Sequence, residues 1–418
     1  MFNKSLINLL LLLGLFVMIL FSQPAFNYFF YFMFFVTINL GIRKKNLINP
    51  YLLFSTSLLS LAVYNHNFSN FLIEIELGTH LLIFFGTFLF LMGMYIVDFG
   101  SFLKKKKFNS YKIKSYKKIF WICLFIGLIP HIIGFFNVGL PILDEVNLEK
   151  SREGYLPGGL SYLIFFLPLL IPISFMMRNK SLILLSVFLN GFISIVRVSK
   201  IDILIVLVFL IFSYFKYNDQ KTLSIKNYLL GFSSFFSIPF IFDWFYSLRF
   251  QNADQFRLIP TDSTFFNFLN IDFTLPYLYF TSGWSNLTHS ISSVEQFNFG
   301  SYTFYPFISA LQLDGFVNYS SQKIIYMFPF NTFSFFTDYY MDFGVFGVVI
   351  IPFLLGIFVY YSFRKSMLNN DPIFDGQYLI LAVGTLMLFF SNHFTGAGYP
   401  FIVYILFGIF RNLLRIRF

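Results

Sequence analysis

The chain alternates long apolar stretches with short polar breaks almost from end to end. Mostly apolar stretches, all but the last of 17 residues or more, lie near 5–22, 25–42, 47–64, 80–99, 119–136, 159–177, 181–197, 201–217, 228–247, 343–362, 376–393 and 400–414. A helix of that length crosses about 30 Å of hydrocarbon. The pattern predicts an all-α, polytopic membrane helix bundle of about twelve spans, built as a single domain over residues 1–418. The first stretch runs through Pro24 directly into the second, so it reads as a span and not as a cleaved signal peptide. Two connections are long, 137–158 and 248–341. The second is too apolar to be a solvated tail, with Phe265, Phe266, Phe268, Tyr277, Leu278, Tyr279 and Phe280 in close succession, and is expected to fold back over the bundle. Within it Trp284, Leu287, Ile291 and Val294 recur at helical spacing, with Ser285, His289, Ser292, Ser293 and Gln296 on the opposite side. That spacing predicts an amphipathic helix over 284–297, lying at the outer membrane surface or re-entrant against the bundle. No internal repeat is visible, which counts against transporter folds made of inverted halves.

Charge orients the bundle. With the amino end inside, the inner breaks hold 22 of the 29 basic residues, including Arg43 to Lys45, Lys104 to Lys107, Lys216, Arg364, Lys365 and Arg411. Basic residues collect on the cytoplasmic side of membrane proteins, so both termini are expected there. His66, His80, His131, His289 and His393 and about 15 of the 19 acids fall on or near the outer side. Chemistry is therefore expected at the outer face. The inner side lacks the glycine-rich phosphate loop that nucleotide chemistry needs, and no Walker or Rossmann pattern occurs.

Composition narrows the classes further. At 57% hydrophobic and 11% charged, with mean hydropathy +0.72, the chain lies far from the soluble norm of about 25% charged. The net charge of +10 is spread in clusters between spans, with no basic stripe for nucleic acid. A single cysteine, Cys123, excludes a disulfide framework and a CxxC redox pair, and no cofactor or metal site is expected. The 67 Phe and 26 Tyr against 3 Trp are spread evenly and read as a coding bias, not a ligand cage.

Seven basic residues are left outside, Lys150, Lys323 and five that are candidates for a site: Arg152, Arg197, Lys200, Arg249 and Arg257. Guanidinium groups from several loops can converge on phosphoryl oxygens, where their forked donors and charge suit a pyrophosphate. The competing reading pairs each one locally, Arg152 with Glu149 or Glu153, Arg257 with Asp254, and Arg249 with Asp243 or a headgroup. In the 197–202 hairpin Arg197, Lys200 and Asp202 stand between two apolar runs, either on a substrate path or as a neutralised pair. Asp342-Phe343-Gly344 opens a span; its carboxylate suits a helix start, and Gly344 and Gly347 suit close helix packing. Asp342 and Asp338 are also candidates to face a substrate, and His131 and His393 are read as core hydrogen-bonders.

An ordered series of short segments resembles a known family. It runs Gly139-Leu140-Pro141 with Arg152 downstream, the 197–202 hairpin, Tyr279-Phe280-Thr281-Ser282-Gly283, then 299–306, Asn331-Thr332-Phe333 and 339–347. In order and spacing these resemble the oligosaccharide repeat unit polymerases, the Wzy-type O-antigen and capsule polymerases of bacteria, over about residues 137–363. The resemblance implies a GT-C-like, metal-independent glycosyltransferase of the bacterial inner (cytoplasmic) membrane, its site facing the periplasm. It would transfer a growing glycan from undecaprenyl pyrophosphate to a lipid-linked repeat unit, with membrane lipid and a chain-length regulator protein as partners. Family arginines carry over onto Arg152 and then Arg197 and Arg249. The general base is left among Asp338 and His289, then Asp342, Glu295 and Glu153. A lipid-linked oligosaccharide flippase, an O-antigen ligase and a structural partner of a secretion assembly are the rival classes. Short outer loops would favour the first, and the acceptor would separate the second.

Overall fold

The computed structural model describes residues 25–44, 46–65, 75–100, 113–143, 151, 154–156, 158–218, 274–311, 313, 323, 332–395 and 399–417. Over these residues the chain is helical, with no strand. In order come α1 (Ala25–Ile42), α2 (Pro50–Asn65), α3 (Leu77–Phe99), α4 (Ile113–Val138), short 3-10 turns Pro141–Leu143 and Gly158–Phe166, α5 (Leu170–Met176), α6 (Lys180–Val196) and α7 (Lys200–Tyr217). After them come α8 (Thr274–Ser292), α9 (Tyr305–Ala310), α10 (Phe335–Leu368), α11 (Pro372–Leu386) and α12 (Tyr399–Arg417). Three helical stretches are long and apolar enough to cross a membrane: Leu77–Phe99, Tyr116–Leu143 and Phe335–Leu368. Phe29–Ile42, Leu160–Met176, Lys180–Val196 and Tyr399–Leu414 are shorter and also apolar. The expected spans at 5–22 and 228–247 lie outside the described residues.

Local chemistry sets the ends. The Asn179 side chain accepts from the Leu182 amide at 3.1 Å to start α6, and Ser199 accepts from the Asp202 amide at 3.4 Å to start α7. Asp371 accepts from the Ile373 amide at 3.0 Å, with Pro372 in the first helical position of α11. The stretch expected as one span at 159–177 is instead a 3-10 segment, a turn and the short α5. Pro168 and Pro172 remove amide donors there and interrupt a continuous helix.

At the centre α3 and α10 run parallel. A Cβ on Gly93 would lie 2.2 Å from the Phe353 carbonyl oxygen, and one on Gly356 would lie 2.2 Å from that of Phe90. The two backbones touch because these glycines carry no side chain. Gly344, expected to serve such packing, does something else. It adopts φ 60° and ψ −141° and breaks α10 after its first turns, a conformation that favours glycine. α10 begins at Phe335 and resumes after the break, so Asp342 lies two residues before the break, at the entry to the second stretch, but its carboxylate accepts from the amides of Tyr302 and Thr303.

The helix expected over 284–297 runs from Thr274 to Ser292 and packs against α2 and α10. Of its expected polar side Ser285 is buried, His289 and Ser293 are half-buried, and Ser292 and Gln296 are exposed, while the neighbouring Asn286 is buried. Trp284 donates to Ser60 at 2.8 Å, the Asn286 amide to the Thr332 carbonyl at 2.7 Å, and the Tyr64 and Ser285 hydroxyls lie 3.2 Å apart. Inside an apolar bundle small polar side chains pair across helices instead of facing water.

One end of the bundle, here the basic end, is closed by ion pairs. Lys216 pairs with Asp375 and donates to the carbonyls of Ser366 at 2.7 Å and Asn369 at 3.0 Å. Asp375 also accepts from Tyr217 and, at 2.6 Å, from Ser366. Arg411 donates to Asp371 at 2.6 Å and stacks on Phe374, Lys44 pairs with Asp98, and Arg364 donates to the carbonyls of Val97 at 2.8 Å and Gly100 at 2.6 Å. The carboxylates involved are largely buried, and each has its cation.

Candidate functional site

At the opposite end, α6 turns into α7 through Arg197, Val198 and Ser199. Val198 has φ 49°, and the turn closes with the Ser199 amide on the Ser194 carbonyl at 3.1 Å and the Val198 amide on the Ile195 carbonyl at 2.9 Å. Glycine usually fills this position, and a β-branched residue there is a backbone outlier. Val198 is held in it by packing against Ile142 and Ile203 and is 1% exposed. The turn folds the Arg197 guanidinium onto the Asp202 carboxylate as an ion pair.

This pair lines a small cavity, of about 20 Å³, together with His131 of α4, Phe165 and Pro168 of the broken segment, and Asn190 and Ser194 of α6. His131 is 7% exposed, and its Nδ1 has no hydrogen-bond partner. Its carbonyl accepts from the Tyr155 hydroxyl at 3.2 Å. Burial pushes the Tyr155 phenol above its ordinary pKa, while the nearby Arg197 charge pulls it back. Phe165 stacks on Tyr399 with ring centres 4.8 Å apart, and Tyr399 lies 5.5 Å from His393. Neither ring nitrogen of His393 nor the Tyr399 hydroxyl has a hydrogen-bond partner.

The start of α10 forms the second part. Asp338, 2% exposed, meets the Lys323 ammonium through Oδ1 as an ion pair without hydrogen-bond alignment, and accepts from the Thr395 hydroxyl through Oδ2. Lys323 arrives from the long connection with its ammonium 4.5 Å from the Tyr302 ring centre and 5.3 Å from that of Phe333. Asp342 accepts from the amides of Tyr302 at 3.1 Å and Thr303. Because α10 breaks at Gly344, the carbonyls of Met341 and Asp342 accept from the amides of Asn298 at 3.0 Å and Phe299 at 3.2 Å. Segment 298–303 is thereby bound to α10 along its length.

The structure brings Arg197, Asp338 and Asp342 to the same end of the bundle. Lys200 lies there too, its ammonium 4.9 Å above the Tyr279 ring, and Tyr279 lies 5.7 Å from Phe390 in the 387–395 turn that also carries His393 and Thr395. His289 sits half-buried on the last turn of α8, and Glu295 is exposed beyond it. Arg152, Glu153, Arg249 and Arg257 lie outside the described residues. Asp342 anchors a neighbouring segment through two amides, where the sequence suggested its own helix start as the recipient. His131 and His393 were expected to be core hydrogen-bonders; the unsatisfied nitrogens on both contradict that. Of the partners of Asp338, Lys323 was legible only as one of the seven basic residues placed on the outer side, and Thr395 carried no sequence signal. Tyr399 had none, since a tyrosine at a span edge is commonplace. Comparison with protein-family models, with curated proteins and with solved structures returns no match.

Proposed function

We propose that this protein is a membrane glycosyltransferase that lengthens a bacterial surface polysaccharide, moving the growing glycan from undecaprenyl pyrophosphate to a lipid-linked repeat unit at the outer face of the cytoplasmic membrane. The observation that carries the reading is that, among the described residues, the buried imidazoles of His131 and His393 and the cavity beside Arg197 lie at the end the charge pattern assigns to the outside. In this reading the whole chain is one membrane domain of twelve spans with both ends inside, and the connections 137–158 and 248–341 cover the site. The acceptor hydroxyl attacks the anomeric carbon, the bond to pyrophosphate breaks, and the hydroxyl proton passes to a base. Arg152, Arg249 and Arg257 neutralise the leaving pyrophosphate, and Asp338 or His289 takes the proton. Asp338 can do so only when Lys323 withdraws, since the ammonium otherwise holds the carboxylate.

Deletion of the gene followed by gel analysis of surface glycan tests the proposal. Loss of polymer with retention of single-repeat material is expected. Unchanged polymer, or loss of the single repeat as well, refutes it. Reporter fusions after Lys107, Arg178 and Arg257 test the orientation, the first two reading cytoplasm and the third the outer side.

A further inference from the structure

Residues 297–311 follow α8, dock on α10 and form the short α9, and their side chains are arranged inside out for a loop in water. From Gln296 to Leu313 the chain carries no charged side chain. Phe299 is 83% exposed, Leu311 69% and Phe304 53%, with Phe297 and Phe307 exposed beside them. The polar side chains turn the other way. The buried Asn298 amide donates to the Met341 carbonyl at 3.2 Å, and the Ser301 hydroxyl donates to the Asn298 carbonyl at 2.9 Å. A surface that meets water places these two classes in the opposite sense, and a contiguous exposed apolar patch marks contact with another phase or partner.

The backbone is prepared in the same way. Hydrocarbon offers no partner to a free amide, so an irregular segment can enter it only with its donors already bonded. Here the amides of Asn298 and Phe299 bond to the α10 carbonyls freed by the break at Gly344, and those of Tyr302 and Thr303 to the Asp342 carboxylate. Further amides, from Ser301 to Leu311, bond to carbonyls within the segment. Depth follows from α10. Arg364, bonded at the basic end to the Val97 and Gly100 carbonyls, stands twenty residues past Gly344. At 1.5 Å per residue that is about 30 Å, one thickness of hydrocarbon, so the break and the segment bonded to it lie at the far edge of the bilayer core. Phe346, Ile350 and Leu354 follow the break as one exposed face of this span. The Phe297 ring packs on Tyr340 and fills the place of a side chain at Gly344, so the apolar surface of the segment continues that face.

We infer that residues 297–311 are embedded in the outer leaflet of the membrane, with Phe299, Phe304 and Leu311 among the lipid acyl chains. The inference rests on the membrane bundle and not on glycosyl transfer.

The test uses the full chain in nanodiscs of phosphatidylethanolamine and phosphatidylglycerol. Cys123, the single cysteine, is fully buried and out of reach of a label. Phe299→Cys, Phe304→Cys and Leu311→Cys each carry a nitroxide, and its collisions with oxygen, which concentrates in lipid, are compared with those of a water-soluble nickel chelate. Phe346→Cys gives the lipid reference, and Glu295→Cys, at an exposed charged position just before the segment, gives the water reference. Oxygen is expected to dominate at two or more of the three positions, as at Phe346, and nickel at Glu295. Should one variant fail to fold, both others must behave as Phe346 does. The inference is overturned if fewer than two positions do so, whether because nickel dominates or because both reagents are excluded, which would mean that protein of this chain or of a second copy covers the face. A segment found in water, in a protein whose deletion abolishes polymer, removes this inference and keeps the polymerase reading. A segment found in lipid, in a protein whose deletion leaves polymer intact, does the reverse.

Discussion

The basic end and the histidine end use similar residue types to opposite effect. At the basic end Asp375 receives Lys216, Tyr217 and Ser366, and Arg411 is fastened to Asp371 and Phe374, so the four helices α7, α10, α11 and α12 are tied together around buried carboxylates. At the histidine end His131 and His393 are just as deeply placed, yet they present ring nitrogens to no protein partner. Buried polar groups in proteins are nearly always satisfied, so a cluster of unsatisfied ones marks a place whose partner comes from elsewhere. Asn369 Oδ1, Gln377 Oε1 and the Ser213 and Ser362 hydroxyls at the basic end also lack a protein partner, so the difference between the ends lies in paired carboxylates at one and buried imidazoles at the other. Ion pairs there depend on segments between spans, as Asp338 does on Lys323.

If that division is right, the heaviest loss should come from breaking the basic end. Lys216→Ala leaves Asp375 buried without its cation, and removing one partner of a buried pair costs about 3–5 kcal/mol. Folded yield in detergent should collapse, while Lys216→Met combined with Asp375→Leu should recover much of it. A Lys216→Ala protein that purifies and melts like the unaltered one would erase the contrast.

At the histidine end the expected effect is on turnover instead of yield. Asp338→Asn should keep a normal elution profile and lose about 10²- to 10⁴-fold in polymerisation of synthetic lipid-linked repeat units, the range for a positioned general base. Asp342→Asn retains one acceptor for the Tyr302 or Thr303 amide, so it should lower the melting temperature with turnover largely kept. Equal turnover in both would move the base to His289 or to Glu295 and Glu153.

Smaller is the effect expected midway between the ends. Gly93→Ala forces a methyl against the Phe353 carbonyl and should destabilise by about 1–3 kcal/mol, read as a lower melting temperature. The least change belongs to Val198→Gly. Relief of about 1–2 kcal/mol of left-handed strain is offset by the apolar burial that valine supplies, so the melting point should move little. A large drop would mean that packing against Ile142 and Ile203 outweighs the strain and sets the shape of the hairpin.

Much of the helix layout was legible in the sequence. The 181–197 and 201–217 spans match α6 and α7 to within about a residue, because Asn179 and Ser199 are strong caps with apolar runs behind them. The 159–177 span was misread because hydropathy does not register the two prolines inside it. Ser285 was read as part of a solvent-facing side of α8, yet hydropathy cannot distinguish water from the Tyr64 hydroxyl of a neighbouring helix as its partner. Of the site, the Arg197 and Asp202 pair was legible at five residues' separation. His131 and Tyr399 were not, since they reach the same place from α4 and α12 and only the packing of Phe165 between these elements joins them.

The break at Gly344 imposes an order of assembly. The carbonyls of Met341 and Asp342 depend on amides at 298 and 299, which leave the ribosome more than 40 residues earlier. Those donors must therefore wait for their acceptors to be synthesised. Only then can segment 298–303 settle against α10. A chain halted before residue 341 has that segment made but undocked.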